Sequence, residues 1–186
     1  SRVVYHADQD TEGLNELYSV PVEGPASEVI KLNPPIVNGG GLFVIYGAME
    51  ISPDSEHVVY RAALDTPGTF EIYSVPIAGP STATVKLNGV MVPDEQISQF
   101  QISPDSSRVV YSGAQLQENV IELFSAPIAG PASSGVKLNQ TLISGGQVSS
   151  FKISPDDEWV VYFATQDQVG RHELYSVPIA GPAAQG

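Results

Sequence analysis

Val3-Val4-Tyr5, Val58-Val59-Tyr60, Val109-Val110-Tyr111 and Val160-Val161-Tyr162 are four copies of one phrase in a chain of 186 residues. Eleven residues after each Tyr, a Glu opens a second phrase: Glu16-Leu17-Tyr18-Ser19-Val20-Pro21, Glu71-Ile72-Tyr73-Ser74-Val75-Pro76, Glu122-Leu123-Phe124-Ser125-Ala126-Pro127 and Glu173-Leu174-Tyr175-Ser176-Val177-Pro178. A Gly-Pro pair follows each one, at Gly24-Pro25, Gly79-Pro80, Gly130-Pro131 and Gly181-Pro182. Three of these pairs lead into Lys-Leu-Asn, ending at Asn33, Asn88 and Asn139. Ile-Ser-Pro-Asp then precedes the next Val-Val-Tyr, at Ile51, Ile102 and Ile153. Such self-similarity at a fixed period marks a stack of like units, each burying its apolar faces against its neighbours.

The period is 51 residues, with a first step of 55. From the first Val of a unit to its Asn the distance is always 30 residues. The slack therefore lies between Asn and Ser-Pro-Asp, where residues 34–48 carry a four-residue insertion. Length variation confined to one connection belongs to a loop on one face of an array.

Each unit divides into four strands. Phe100 and Ile102, Phe151 and Ile153, and Met49 and Ile51 alternate at period two. Ser-Pro-Asp supplies the following turn, with Pro fixing one backbone angle and Asp bonding nearby amides. Val-Val-Tyr is β-branched and aromatic and makes the second strand. The Glu-Leu-Tyr-Ser-Val phrase is the third, stopped by a Pro that cannot donate to a ladder. Val-Lys-Leu-Asn is a short outer fourth, whose Lys suits an edge facing water. No segment has a sustained helical period. The pattern predicts an all-β fold, a β-propeller of four-stranded antiparallel blades in four repeats of about 51 residues. Units run at about 1–47, 48–98, 99–149 and 150–186 of one domain. The first lacks its inner strand and the last its outer one, so fourteen strands are expected. Those two partial units overlap rather than complement each other, which predicts a partial ring whose open end blades favour self-association.

The words Ile-Ser-Pro-Asp-Ser-x-x-Val-Val-Tyr and Glu-Leu-Tyr-Ser-Val-Pro-Ile resemble the TolB-type, WD-repeat-like propeller repeat of bacterial secreted and periplasmic proteins. The resemblance spans essentially the whole chain. It departs where the family's turn has Gly, here Ser55, Ser106 and Asp157, which predicts a turn kept with some strain. What the resemblance implies is a non-catalytic scaffold in the periplasm or outside the cell, binding a protein or peptide. A fold of this kind hosts many activities. The propeller of a larger serine peptidase-like hydrolase, gating access of substrate, and a cation-stabilised surface repeat protein are the alternative functions.

Composition excludes more than it assigns. Eight Lys and Arg against 21 Asp and Glu leave a net charge of −13, the wrong sign for nucleic acid. There is no Cys, hence no disulfide framework or thiolate site. No apolar run reaches the ~18 residues of a membrane span, so membrane insertion is not expected, and a secreted location would need a signal upstream of residue 1.

Candidate site residues are few. Asp8-Gln9-Asp10-Thr11-Glu12-Gly13 has the look of an oxygen-ligand loop for a hard cation such as Ca²⁺, with Asp8, Asp10 and Glu12 as ligands. The EF-hand Glu is missing and the aligned triplets elsewhere do not repeat it, so an ordinary polar hairpin is expected and no cofactor is assigned. His6, His57 and His172 fall at unrelated positions, and no nucleophile elbow is present, so no catalytic residue is assigned. The recurring Glu16, Glu71, Glu122 and Glu173 read as a structural feature at the start of the third strand. Trp159, in place of Arg108 and His57, is expected to pack on a neighbouring blade or cover an end of the array rather than stand as an exposed binding aromatic. The apolar run of residues 42–46 is expected to prolong an inner strand.

Overall fold

The computed structural model describes residues 1–42, 47–93, 95–168 and 170–182. Among them, alternating β-branched and aromatic residues bracketed by turns form four antiparallel sheets. The first holds β1 (Arg2–Ala7), β2 (Glu16–Pro21) and β3 (Ile30–Lys31). The second holds β4 (Gly41–Leu42), β5 (Met49–Ile51), β6 (His57–Ala63), β7 (Glu71–Pro76) and β8 (Val85–Lys86). The third consists of β9 (Ile97–Ile102), β10 (Arg108–Gly113), β11 (Glu122–Pro127) and β12 (Val136–Lys137). The fourth consists of β13 (Val148–Ile153), β14 (Trp159–Ala164) and β15 (Glu173–Pro178).

Among the described residues the strands number fifteen rather than fourteen, because two strands, on either side of residues 43–48, occupy the inner position of the second sheet. Gly41 and Leu42 pair with Ala63 and Ala62, while Met49 to Ile51 pair with Tyr60 to Val58 on the same β6. Leu42 is thus on the inner edge, while residues 43–46, the rest of the apolar run expected to prolong an inner strand, lie outside the described residues. Inner strands accordingly begin at Gly41, Ile97 and Val148, slightly upstream of the approximate unit starts. Each of the first three Gly-Pro pairs is a cis peptide and leads into one turn of 3₁₀ helix, at Ala26–Glu28, Ser81–Ala83 and Ala132–Ser134. A single turn is too short to register as a helical period.

The central hairpin of every sheet has one register. Tyr5 faces Tyr18, Tyr60 faces Tyr73, Tyr111 faces Phe124 and Tyr162 faces Tyr175, with ring centroids 5.4 to 5.8 Å apart. Directly opposed aromatic pairs of this kind stabilise a hairpin beyond their burial. The paired valines have a simple cause, since a strand enclosed on both faces needs apolar residues at consecutive positions. Val109 and Tyr111 pack with Val59, Ile72 and Leu87 of the second sheet, while Val110 packs with Phe151 and Val160 of the fourth. A third cluster joins Leu17 and Leu32 of the first sheet to Val58, Tyr60 and Val75 of the second. Four sheets thus share three cores in sequence, and the array does not close.

Two smaller devices set the spacing of neighbouring sheets. Gly79, Gly130 and Gly181 have φ of 69°, 71° and 102°, and a Cβ on them would come within 3.2 to 3.4 Å of Ile30, Val85 and Val136 in the preceding outer strand. Backbone conformation and close approach together restrict these positions to glycine. The Ser-Pro-Asp turns supply the second device. Ser55, Ser106 and Asp157 have φ of 63°, 61° and 62°, so the strain expected from the missing Gly is present. The side chains of Ser106 and Asp157 also do what a Gly cannot. Ser106 Oγ accepts from the Asp54 amide and Asp157 Oδ1 from the Asp105 amide, both at 3.0 Å and both across a sheet interface.

These opposed effects make a test. Ser106→Ala keeps the strained backbone and loses the hydrogen bond, so it should destabilise the chain by about 1 kcal/mol. Ser106→Gly loses the same bond but relieves about 1 kcal/mol of backbone strain, so its urea midpoint should stay near that of the parent. A Gly variant as damaged as the Ala variant would rule out the compensation.

The end sheets each give one face to a core and leave the other outward. Val3 is exposed on the first sheet, and Trp159, Phe163 and Leu174 on the last. The expectation that Trp159 packs on a neighbour is therefore corrected: it is 44% exposed. The reason lies in the strand's alternation, which turns Val160 into the core and Trp159 away from it. Arg2 and Arg108, its counterparts, instead reach across their hairpins to Ser19 and Ser125.

Candidate functional site: a carboxylate-lysine clip on the outer strands

The recurring Glu opens the third strand of each unit and, in the first three, is almost fully buried: Glu16 at 4%, Glu71 at 4% and Glu122 at 6% exposure. A carboxylate in such a place needs a cation and hydrogen bonds. The outer strand brings both. Lys31, Lys86 and Lys137 lie 2.9, 2.7 and 2.7 Å from Glu16, Glu71 and Glu122. The Lys is thus not simply a solvated edge residue, as the sequence pattern predicts; a carboxylate drawn under the strand captures its ammonium.

Two residues beyond each Lys, Asn completes the clip. Asn33, Asn88 and Asn139 accept from the amides of Leu17, Ile72 and Leu123 at 2.6 to 2.8 Å. The amide groups of Asn33 and Asn88 also donate toward Glu16 and Glu71, at 3.5 and 3.2 Å. The side chain thereby satisfies a buried backbone donor that the two-residue outer strand is too short to reach. Tyr18 and Tyr73 donate to the same Glu residues at 3.2 and 3.0 Å. Burial, with Glu16 alongside, pushes the Tyr18 phenol up to about 12.

A third carboxylate joins in two units. Asp10 and Asp65 lie 2.7 Å from Lys31 and Lys86. The bond to Lys31 holds Asp10 below the usual carboxylate range, and Asp10 in turn leads the causes that raise Lys31. Burial pulls Lys86 down, but Asp65 and Glu71 more than offset it. Of the candidate cation ligands, Asp10 is therefore drawn to Lys31, Asp8 accepts from the Gly13 amide at 3.3 Å, and Glu12 is exposed. The hairpin gathers Asp10 and Glu16 around an ammonium of the chain itself, and Glu12 is not among the clip's contacts. Among the described residues, no group of three or more His, Asp or Glu could hold a metal ion.

His6 and His172 are exposed, His57 is half-buried, and each lies in a different sheet. Arg61 was not singled out by the sequence, yet it is 6% exposed and donates to the Ile97 and Ser98 carbonyls at 2.9 and 2.8 Å, joining the second sheet to the third. Burial lowers its pKa. On the inner strands, burial raises Glu50, against the opposing pull of the Ile102 amide and Lys152. At the turns, the Ser52 and Ser154 hydroxyls, each aided by a backbone amide, hold Asp54 and Asp156 below the ordinary carboxylate value. Beside the second clip lies a concavity of about 210 Å³ lined by Thr66, Glu71, Lys86 and Met91, smaller than most small-molecule sites.

Sequence reasoning missed the clip; the signal that could have found it is the constant 15-residue step from Glu to Lys and 17-residue step from Glu to Asn in the first three units. Those steps fix which residues meet across β2 and β3, β7 and β8, and β11 and β12.

No family model matches the chain, and no curated protein matches it. Solved structures do. Prolyl oligopeptidase B from Galerina marginata is 14% identical with a TM-score of 0.60, over 96% of this chain and 27% of its own. A prolyl endopeptidase is 11% identical with a TM-score of 0.59, over 95% of this chain and 26% of its own. An oligogalacturonate lyase in complex with manganese is 17% identical with a TM-score of 0.53, over 96% of this chain and 45% of its own. The chain thus spans between about a quarter and a half of these neighbours. The peptidase matches fall on their β-propeller domains, and the fold of this chain is an all-β array of propeller-type blades.

Proposed function

We propose that this chain is the propeller part of a larger serine hydrolase of the prolyl oligopeptidase kind, governing which peptides reach a catalytic domain carried elsewhere. The supporting observation is the likeness to peptidase propellers over 96% and 95% of the chain. The way the sheets are joined suits such a role. Neighbouring blades are held mainly by apolar packing and isolated hydrogen bonds, so they can part without breaking a hairpin ladder.

A second reading, favoured by the Ser-Pro-Asp turns and the repeat words, is a TolB-type interaction scaffold of the periplasm or cell exterior. Its exposed end residues Val3, Trp159, Phe163 and Leu174 would serve contact with a protein partner or a second copy.

One experiment separates the two. An antibody to this chain recovers the native protein, which is treated with a fluorophosphonate probe for active serines and assayed on a short proline-containing chromogenic peptide and on a long unfolded polypeptide. The hydrolase reading expects one labelled species far larger than 19.7 kDa that prefers the short substrate. An unlabelled, inert species co-purifying with a periplasmic protein would overturn it and favour the scaffold.

A further inference from the structure

Of the six asparagines in the chain, only Asn38 and Asn88 precede a glycine. That pairing carries its own chemistry. Attack of the following backbone nitrogen on the Asn carboxamide carbon closes a succinimide ring, and a glycine has no Cβ to screen the nitrogen. The fold puts the two sites in opposite settings. Asn88 is fully buried in the second clip, where its carboxamide accepts from the Ile72 amide at 2.8 Å and donates to the Gly89 carbonyl at 2.7 Å and to Glu71 at 3.2 Å. Those bonds must break before the group can turn toward the Gly89 nitrogen. Asn38 is exposed, in the connection between β3 and β4.

That connection repeats elsewhere in the array. The Gly40 amide donates to the Val37 carbonyl at 2.8 Å with Gly39 at φ of 80°, and the Gly146 amide donates to the Ile143 carbonyl at 2.8 Å with Gly145 at φ of 77°. A positive φ at the third residue of a four-residue turn selects glycine there. Before the third sheet, Glu95 closes the same bond to Val92 at 3.2 Å, with Pro93 as the second residue. Both glycine turns are anchored to the hairpin they lead into. The Val37 and Ile143 amides donate to the Leu64 and Gln166 carbonyls at 3.3 and 3.2 Å, and a Cβ on Gly40 or Gly146 would run into the Ala63 or Thr165 carbonyl. The middle residues stay outward: Asn38 and Gly39 in one turn, Ser144 and Gly145 in the other. One backbone device thus presents a carboxamide in the first case and a hydroxyl in the second, and only the carboxamide offers a carbon to attack.

We propose that Asn38 is a site of spontaneous deamidation in the folded chain, and that Asn88 is protected from it by the clip. The Gly39 nitrogen, having given up its proton to base, bonds to Asn38 Cγ. The Cγ–Nδ2 bond breaks, and the nitrogen leaves as ammonia after taking a proton from solvent. One water then opens the ring. Opening at the side-chain carbonyl leaves aspartate on an ordinary backbone; opening at the main-chain carbonyl leaves isoaspartate, whose chain runs through Cβ. Either product adds a negative charge to a chain of net charge −13. Isoaspartate also lengthens the turn between its two anchors, just before Gly41 pairs with Ala63. The inference rests on this turn alone and holds for the hydrolase and the scaffold alike.

The 186-residue chain is incubated warm at mildly alkaline pH, once folded and once in guanidinium chloride, then digested with trypsin in mild acid. Peptides 32–61 and 87–108 are followed by mass spectrometry, with chromatography separating the aspartate and isoaspartate forms. In the folded chain, peptide 32–61 should gain the mass of an amide-to-acid change at least about tenfold faster than peptide 87–108, because Asn88 reacts only through local opening. In guanidinium chloride the two rates should converge. Asn38→Ser, which copies the Ser144-Gly145 turn, should abolish the change in peptide 32–61 and leave the urea midpoint where it was. Equal rates at the two sites in the folded chain, a 32–61 peptide that reacts only after denaturation, or a change that persists in Asn38→Ser would overturn the proposal.

Discussion

Tyr111→Ala lowers the unfolding free energy by about 4 kcal/mol, a large share of the stability of any domain. The ring is 1% exposed, stacks on Phe124 with centroids 5.5 Å apart, and sits in the core joining the second and third sheets. Its removal leaves a ring-sized void between blades that the rigid hairpins on either side cannot collapse to fill. Tyr111→Phe keeps the ring and gives up only a 3.3 Å contact to Gln115, so its loss should stay below about 1 kcal/mol. Tyr5→Ala removes the same letter of the repeat from the half-exposed face of the first sheet and should cost clearly less than Tyr111→Ala. Urea denaturation of the three variants checks this series. Equal losses at Tyr5 and Tyr111 would mean that the sheets do not share their cores in the order described.

Asn88→Ala should cost about 2 to 3 kcal/mol although it removes no apolar core atom. Asn88 is fully buried, accepts from the Ile72 amide at 2.8 Å, and donates to the Gly89 carbonyl and to Glu71. Truncation leaves a buried amide and a buried carboxylate each short of a partner, and the full desolvation penalty then falls on both. Asn88→Asp restores an acceptor for Ile72 but sets a second carboxylate against Glu71. It should therefore also destabilise at neutral pH and recover part of the loss when acidified, as the added acid takes up a proton. The readouts are the urea midpoint and the exchange rate of the Ile72 amide, which should rise in Asn88→Ala. A loss under about 0.5 kcal/mol with unchanged exchange would show that the clip is ornamental to the fold.

Strands were legible in the sequence wherever a repeat word dictated a local period. Val-Val-Tyr, Glu-Leu-Tyr-Ser-Val and Val-Lys-Leu-Asn became the second, third and outer strands, and Glu16, Glu71, Glu122 and Glu173 each open a third strand. Long-range partners were not legible. Ser106 and Asp157 looked like strained replacements for Gly, because the amides they accept from, those of Asp54 and Asp105, lie 52 residues upstream in another unit. Lys31 looked like an edge residue because nothing local shows that Glu16 is buried beneath it. Trp159 was misplaced for a related reason: a strand's alternation gives two faces, and which one meets a neighbour depends on the order of sheets. The two inner strands of the second sheet, Gly41–Leu42 and Met49–Ile51, lie at and beside an insertion whose length was visible and whose pairing was not.

The Gly79, Gly130 and Gly181 contacts with the preceding outer strand repeat at all three junctions with the same repeat position, a β-branched Ile or Val. The junction is therefore a standard fitting, in which the outer strand of one unit meets the glycine that follows the third strand of the next. A unit duplicated in the gene would arrive already compatible with both neighbours, needing no new complementary surface to evolve. Each such copy should add one interface of roughly the same strength, so that lineages carrying this repeat can change blade number by whole units while their interiors stay as they are.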